Sequence, residues 1–280
     1  MSLPVPRPGV PPALRAFGQA LYHRLFRIHL RMRIWGADRF GTPEADVPLP
    51  PAILRYRISE TLSVREFLRV GEGCARLIRQ HVLEAGVDFD SARRVLDFGC
   101  GCGRTLRWFL PGDRPGRFCG VDVDAEAVEW CGRHLKGASF QATSPAPPLP
   151  FPDDHFDIVY AFSVFTHLDE AMQDAWLAEL GRILEPGGVL LLTVFGRAAR
   201  ESLDSRGRSA LDSDGIVHRR SQKLRGFVPE WYHTTWHSPE YIAKRLSARF
   251  SDVRYSALPD GAQDIVTARK PQHASPAGGA

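Results

Sequence analysis

Asp97, Gly99, Gly101 and Gly103 alternate in VLDFGCGCGR, where an apolar run ends. Glycines at every second position let a ligand approach the main chain closely, because no Cβ stands in the way. A dinucleotide site needs one more glycine three residues after the second to seat pyrophosphate; Arg104 stands there, so the diphosphate reading fails. Taken alone, the run also reads as a tight strand-to-helix turn. About twenty residues on, at the interval a ribose-binding acid keeps, FCGVDVD ends a second apolar run on Asp122, with Val123 beside it. A carboxylate there can accept from both hydroxyls of a ribose, and the adjoining valine can cover the base.

A second group of residues suits proton transfer and substrate binding. His167 in VFTHL is a candidate general base, since imidazole titrates near neutrality; a structural histidine at a helix start is the plainer reading. FVPEWYHTTWHSPEY gathers Trp231, Tyr232, His233, Trp236, His237 and Tyr241. Tyr232, Trp236 and Tyr241 are candidates to wall a substrate pocket, and His233 and His237 to act as base or to position the substrate; the alternative is an ordinary apolar lid. Ser238 and Pro239 read as the cap and first turn of a helix. No carboxylate–histidine spacing defines a metal site, so none is expected. Cys100 and Cys102 read as small side chains filling a glycine turn rather than as redox or metal groups.

The elements that must bring these residues together alternate from 93 onward. VLDFG precedes a helix from Thr105, FCGVDV a helix from Glu126 to Leu135, then come ASFQA, DIVYAFS with a helix over 169–184, and VLLLTVF. That pattern predicts an α/β fold with a doubly wound, mostly parallel sheet. SDVRYSA and QDIVTAR, joined at 259–261 after a helix over 239–249, predict a hairpin closing the sheet edge and bring the strand count to seven. A helix over 61–85 precedes the core.

With these motifs assembled, the chain resembles the class I S-adenosylmethionine-dependent methyltransferases, on VLDFGCGCGR, GVDVD, LPFPDDHFDIVYAFSVFTHL and LGRILEPGGVLLLTVFG. The resemblance covers 53–270 and implies a Rossmann-like fold with S-adenosylmethionine as cofactor. The implied binding residues are Asp97, Phe98, Gly99, Cys100, Gly101 and Arg104 around the methionine part, and Asp122 and Val123 at the ribose and adenine. Thr143 and Ser144 take the place of the acidic or amide residue that many relatives carry near the adenine, and Ala161, Phe162 and Ser163 face the methyl group. Arg55 and Arg57 in LRYR are candidates for the cofactor carboxylate; surface arginines on a linking strand are the alternative.

The implied reaction is in-line methyl transfer to a small-molecule acceptor, of the natural-product, sugar or glycolipid kind met in a similar bacterial subgroup. A protein acceptor, or a non-catalytic binding module on the same fold, remains open. Nucleic acid is not expected, because AFSVFTH lacks the NPPY-type sequence of amino-group base methylases.

At 280 residues, 44% hydrophobic and 24% charged, the chain has the composition of one folded domain with appendages, which excludes collagen, coiled-coil and disordered classes. The net charge of +4 is concentrated at the start: residues 1–40 hold seven arginines against Asp38 alone. Residues 1–52 divide into a proline-rich tail, a basic amphipathic helix with Leu14, Phe17, Leu21, Leu25, Ile28 and Met32 on its apolar face, and a linker over 41–51. The helix, over 13–35, is a candidate contact for a membrane surface or a second copy. Residues 197–237 form a charged insertion without sustained periodicity, an acceptor-side lid or a solvated loop, and 271–280 a disordered tail. Five cysteines in no disulfide pattern and the lack of a signal-type run predict a cytoplasmic protein, peripheral at the inner membrane face if the basic helix binds there.

Overall fold

Four short runs rich in Val, Ile, Leu and Phe have little polar surface to turn to water, which is the pattern of strands covered on both sides. In the computed structural model they are β1 (Val95–Phe98), β2 (Phe118–Asp122), β4 (Phe156–Ala161) and β5 (Leu184–Val194), while β3 (Ala138–Ala142), with Ser139 and Gln141, is a partly exposed strand at the sheet edge. The structure describes residues 12–40, 48–110, 116–220, 233–258 and 262–272, with the backbone alone for 12–20, 22, 23 and 40. Two later strands, β8 (Ser251–Ser256) and β9 (Asp264–Arg269), complete a seven-stranded sheet in the order β3-β2-β1-β4-β5-β9-β8. The first five are mutually parallel, and β9 runs antiparallel to both neighbours. The expected doubly wound, Rossmann-like sheet is therefore present, and its strand order reverses between β1 and β4, where such sheets open a crevice.

The sheet buries both faces. Leu96, Phe98, Val159, Leu190 and Leu192 meet Trp176, Leu177 and Leu180 of α5 (Glu170–Ile183) and Ile242 and Leu246 of α7 (Pro239–Ser247). Val95, Ile158, Tyr160, Val189 and Leu191 meet Ile78 and Val82 of α3 (Val64–Glu84). Each such side chain contributes about 1.5–3 kcal/mol when fully buried, which outweighs any local preference. The helices start where side chains can cap them: Ser63 accepts from Glu66 N–H, Asp124 from Ala127 N–H ahead of α4 (Ala125–His134), Asp169 from Met172 N–H, and Ser238 from Tyr241 N–H.

Several expectations need correction. The helix expected from Thr105 is a single 3-10 turn, Leu106–Phe109; Pro111 soon follows, and a proline disfavours helix in the residue before it. LRYR lies not in a linking strand but in α2 (Ala52–Ser59), a helix too short to stand alone and held by buried Ala52, Leu54 and Tyr56. The basic helix α1 (Pro12–Phe40) is longer than expected, and its predicted apolar face is inverted from Leu21 on: Leu21, Leu25, Ile28 and Met32 are exposed, while Leu30 and Ile34 pack on α2. Within 197–237, what reads as aperiodic contains α6 (Ser205–Asp214) and a two-stranded antiparallel ribbon, β6 (Ile216–Arg219) with β7 (Thr234–His237). The proline-rich tail through residue 11, linker residues 41–47, the turn at 259–261 and tail residues 273–280 lie outside the described residues. Among the described residues no helix is long and apolar enough to cross a membrane.

Candidate active site

The chain leaves β1 through three left-handed glycines, Gly99, Gly101 and Gly103, at φ 83°, 51° and 70°. Any other L-residue is strained there, and a Cβ on Gly101 would stand 2.4 Å from Ile58 Cδ1. The loop is pinned to β2 by Gly99 and Cys100 N–H, which both donate to Val121 O at 2.8 and 3.0 Å. At the end of β2, Asp122 Oδ2 accepts from Gly101 N–H at 2.7 Å and Oδ1 from Asp124 N–H at 2.8 Å. Burial raises the Asp122 carboxyl, and these two N–H groups oppose the rise. One carboxylate thus locks the glycine loop to the strand that follows it.

Beside this lock lies a cavity of about 400 Å³ at the strand C-termini, on the reversal between β1 and β4. Asp97, Phe98, Gly99, Cys100, Gly101, Arg104, Asp122, Val123 and Thr143 of the sequence-derived cofactor set line it, as do Phe162 and Ser163. Ala161 does not, being fully buried inside β4, and Ser144 instead accepts from Ala146 N–H at 3.3 Å. Asp97 is 3% exposed, and burial pushes its carboxyl up to about 8, with Asp122 adding to the rise and Tyr160 and Arg104 opposing it. The Arg104 Nε is buried with no partner among the described residues.

The arginines expected at the cofactor carboxylate separate. Arg57 reaches the cavity but is paired with Asp124 at 3.0 Å and Glu126 at 2.8 Å. Arg55 is removed from it: its buried guanidinium donates to Pro50 O at 2.7 Å, tying the entrance of α2.

At the other end, Val164, Leu168, Met172 and Trp176 form an apolar wall beside His167, His233 and Arg220. Ser163 closes β4 at a left-handed φ of 64°, held by its N–H to Thr193 Oγ1 at 2.7 Å and by Gln263, whose Nε2 donates to Ser163 Oγ at 2.8 Å. His167 Nδ1 lies 2.7 Å from His233 O. A carbonyl only accepts, so Nδ1 carries the proton and Nε2 is the basic nitrogen. Burial pushes His167 down to about 4.

The remaining candidates lie elsewhere. His237 is fully buried, its Nε2 3.0 Å from Gln173 Oε1 and 2.9 Å from Gln173 Nε2, and burial lowers it to about 3; it ties β7 to α5 rather than lining the cavity. Trp236 Nε1 donates to Ser202 Oγ at 3.0 Å, and Tyr241 OH to Glu170 Oε1 at 2.6 Å, so neither walls the cavity. Trp231 and Tyr232 lie outside the described residues. Sequence reasoning missed Ile58, Met172, Trp176 and Arg220. Met172 and Trp176, four apart on α5, carried a signal, one shared helical face, which also describes an ordinary core. Among the described residues no group of three His, Cys, Asp or Glu is placed to hold a metal, and all five cysteines are buried and free.

Residues 96–192 match the family model described as a methyltransferase domain. A fatty-acid O-methyltransferase of Mycolicibacterium smegmatis is 34% identical over 115 residues, 40% of each chain. A phthiotriol/phenolphthiotriol dimycocerosates methyltransferase of Mycobacterium ulcerans is 33% identical over 108 residues, 37% of this chain and 38% of the relative. The chain thus spans about two fifths of the length of these curated relatives. By fold it is similar to a solved SAM-dependent methyltransferase of Methanosarcina mazei (TM-score 0.50, 19% identity, 64% of this chain and 93% of the other). It is also similar to the DhpI–SAH complex (TM-score 0.52, 17% identity, 78% and 93%). Matched segment, strand order and glycine–acid lock agree: the chain carries a methyltransferase domain on the Rossmann-like fold of the S-adenosylmethionine-dependent methyltransferases, and S-adenosylmethionine is the cofactor that domain takes.

Proposed function

We propose that this protein transfers a methyl group from S-adenosylmethionine to a small-molecule acceptor with an apolar body, of the natural-product, sugar or glycolipid kind. One observation carries the reading: a single cavity joins the glycine loop and Asp122 to the apolar wall of Val164, Leu168, Met172 and Trp176. The donor set suits the cofactor. Asp122 offers a carboxylate to ribose, the turn through Gly99 and Gly101 lines the cavity with main chain beside it, and the unpartnered Arg104 Nε suits the carboxylate of the methionine part.

Bound S-adenosylmethionine supplies an electrophilic methyl group on a sulfonium, and transfer is an in-line displacement that depends on alignment and exclusion of water. Phe162 and the apolar wall exclude water, and Ser163, fixed by Thr193 and Gln263, shapes the floor where the acceptor meets the methyl. His167 stays neutral at physiological pH and presents Nε2 as the proton acceptor. Among these acceptors, so weak a base suits one that ionises readily, such as a phenol, better than a sugar alcohol, and a carboxyl, already ionised at physiological pH, needs no base. The fatty-acid O-methyltransferase among the relatives has such an acceptor by its name, an apolar chain with an ionisable head. The buried free thiols suit a reducing compartment, and we assign the enzyme to the cytoplasm.

Calorimetric titration with S-adenosylmethionine and S-adenosylhomocysteine, followed by methyl transfer to a panel of fatty acids, phenols and sugars, tests the reading. Micromolar binding and turnover on an apolar acid or phenol is the expected result. No heat from well-folded protein overturns the enzyme reading in favour of a binding module, and turnover on a protein alone overturns the acceptor class.

A further inference from the structure

Helix α1 has two apolar faces. The inner one, Leu30 and Ile34 with Phe26 beside them, packs on Ala52 and Tyr56 of α2. On the opposite side Leu21, Leu25, Ile28, Met32 and Trp35 recur at spacings of four, three, four and three and are 45–64% exposed. At 3.6 residues per turn these five fall within about 40° of one line along the helix. A continuous exposed apolar face of this kind marks a contact with something other than water.

The charges around the stripe say what that contact is. From Leu21 to Arg39 the helix carries Arg24, Arg27, Arg31, Arg33 and Arg39, and its one acidic residue, Asp38, is engaged in accepting from Ala52 N–H at 2.7 Å. Arg24 and Arg31 border the stripe, about 60–80° from its centre line, and Arg39 continues it. A second copy docked through the same face would set one arginine rim against another. A surface of lipid phosphates neutralises the rim while the hydrocarbon takes the stripe.

We propose that the outer face of α1 docks on an anionic lipid bilayer, with the helix in the headgroup plane. Leu21, Leu25, Ile28, Met32 and Trp35 point toward the acyl chains, and Arg24, Arg31 and Arg39 meet the phosphates. The inner face of α1 rests on α2, and α2 contributes Arg57 and Ile58 to the cavity wall. Docking therefore holds the cavity one helix away from lipid, and it does so whatever the acceptor proves to be.

The test is flotation of the full-length protein with vesicles of phosphatidylcholine alone and of phosphatidylcholine with phosphatidylglycerol, alongside light scattering for its mass in solution. The expected result is a monomer that binds the anionic vesicles and loses at least tenfold in affinity on neutral ones or at high salt. Leu25→Glu with Met32→Glu should cost a further tenfold or more, and Arg24→Glu several-fold, while the heat of S-adenosylmethionine binding stays unchanged and certifies the fold. Failure of the wild type to bind anionic vesicles overturns the proposal. So does a dimer that the Leu25→Glu, Met32→Glu pair converts to monomer, which assigns the face to a second copy. Cofactor binding in the same samples keeps either failure distinct from failure of the enzymatic reading.

Discussion

His167 Nδ1 and the carbonyl oxygen of His233 lie 2.7 Å apart, although 66 residues separate them in the chain. The bond fixes the tautomer of His167 and leaves Nε2 as its basic nitrogen. It rests on the β6–β7 ribbon, which grips the β4–α5 loop through Thr235 N–H to Thr166 O at 2.8 Å and Thr235 Oγ1 to Leu168 O at 2.7 Å. An insertion that looks like a lid in the sequence thus orients the candidate base.

Two histidines of that region are expected to fail differently when removed. His167→Ala should lower turnover on a phenol by about 10²–10⁴-fold with cofactor affinity unchanged, the range for loss of a general base, and leave turnover on a carboxyl acceptor little altered. His237→Ala should leave Gln173 without its buried histidine partner and cost about 1–3 kcal/mol of stability. Turnover and thermal melting of both variants decide; equal turnover on a phenol in His167→Ala and wild type removes the base assignment.

Asp122→Ala takes the acceptor from the N–H groups of Gly101 and Asp124 and from the ribose site together. A loss of about 10- to 100-fold in S-adenosylmethionine affinity is expected, corresponding to about 1.4–2.8 kcal/mol. Calorimetry measures it directly, and unaltered affinity would place the ribose elsewhere.

Gly101→Ala imposes a Cβ on a left-handed φ of 51° and drives it toward Ile58. The conformational cost is about 1–2 kcal/mol, visible as a lowered melting temperature. Adding Ile58→Ala should return the part due to the clash and not the part due to φ. Full recovery in the double variant would show that the backbone is not strained.

Stability should peak near neutral pH. His167 and His237 titrate at about 4 and about 3 when folded, against an ordinary 6.5, so on acidification below 6.5 the unfolded chain takes up protons the folded one refuses. Stability then falls by about 1.4 kcal/mol per pH unit for each histidine until the folded-state values are passed. Asp97 acts in reverse: its folded carboxyl holds a proton up to about 8 against an ordinary 3.8, so its contribution is lost as pH rises through that window. Melting curves across pH check the maximum, and Asp97→Asn should flatten the alkaline side. A melting temperature that keeps rising from pH 6.5 to 8 in the wild type would contradict the assignment.

Much of this protein was legible in its sequence. Alternating glycines, an acid at the end of the next strand, and apolar runs separated by capped helices are local signals, and they determine the parallel sheet, its strand count and the glycine-loop end of the cavity. The apolar end was not legible, because Met172, Trp176 and Arg220 come to line one cavity with His167 only through folding, and a pocket-wall methionine has the same helical spacing as a core one. Arg55 and Arg57, two positions apart in one motif, turn out to point to a backbone carbonyl and to a pair of acids, a division that the rotation of α2 decides. The apolar stripe of α1 shows the same limit from the other side. Periodicity reports that a helix has an apolar face, while only the tertiary structure decides which of two such faces the body of the protein covers, because burial depends on what stands opposite.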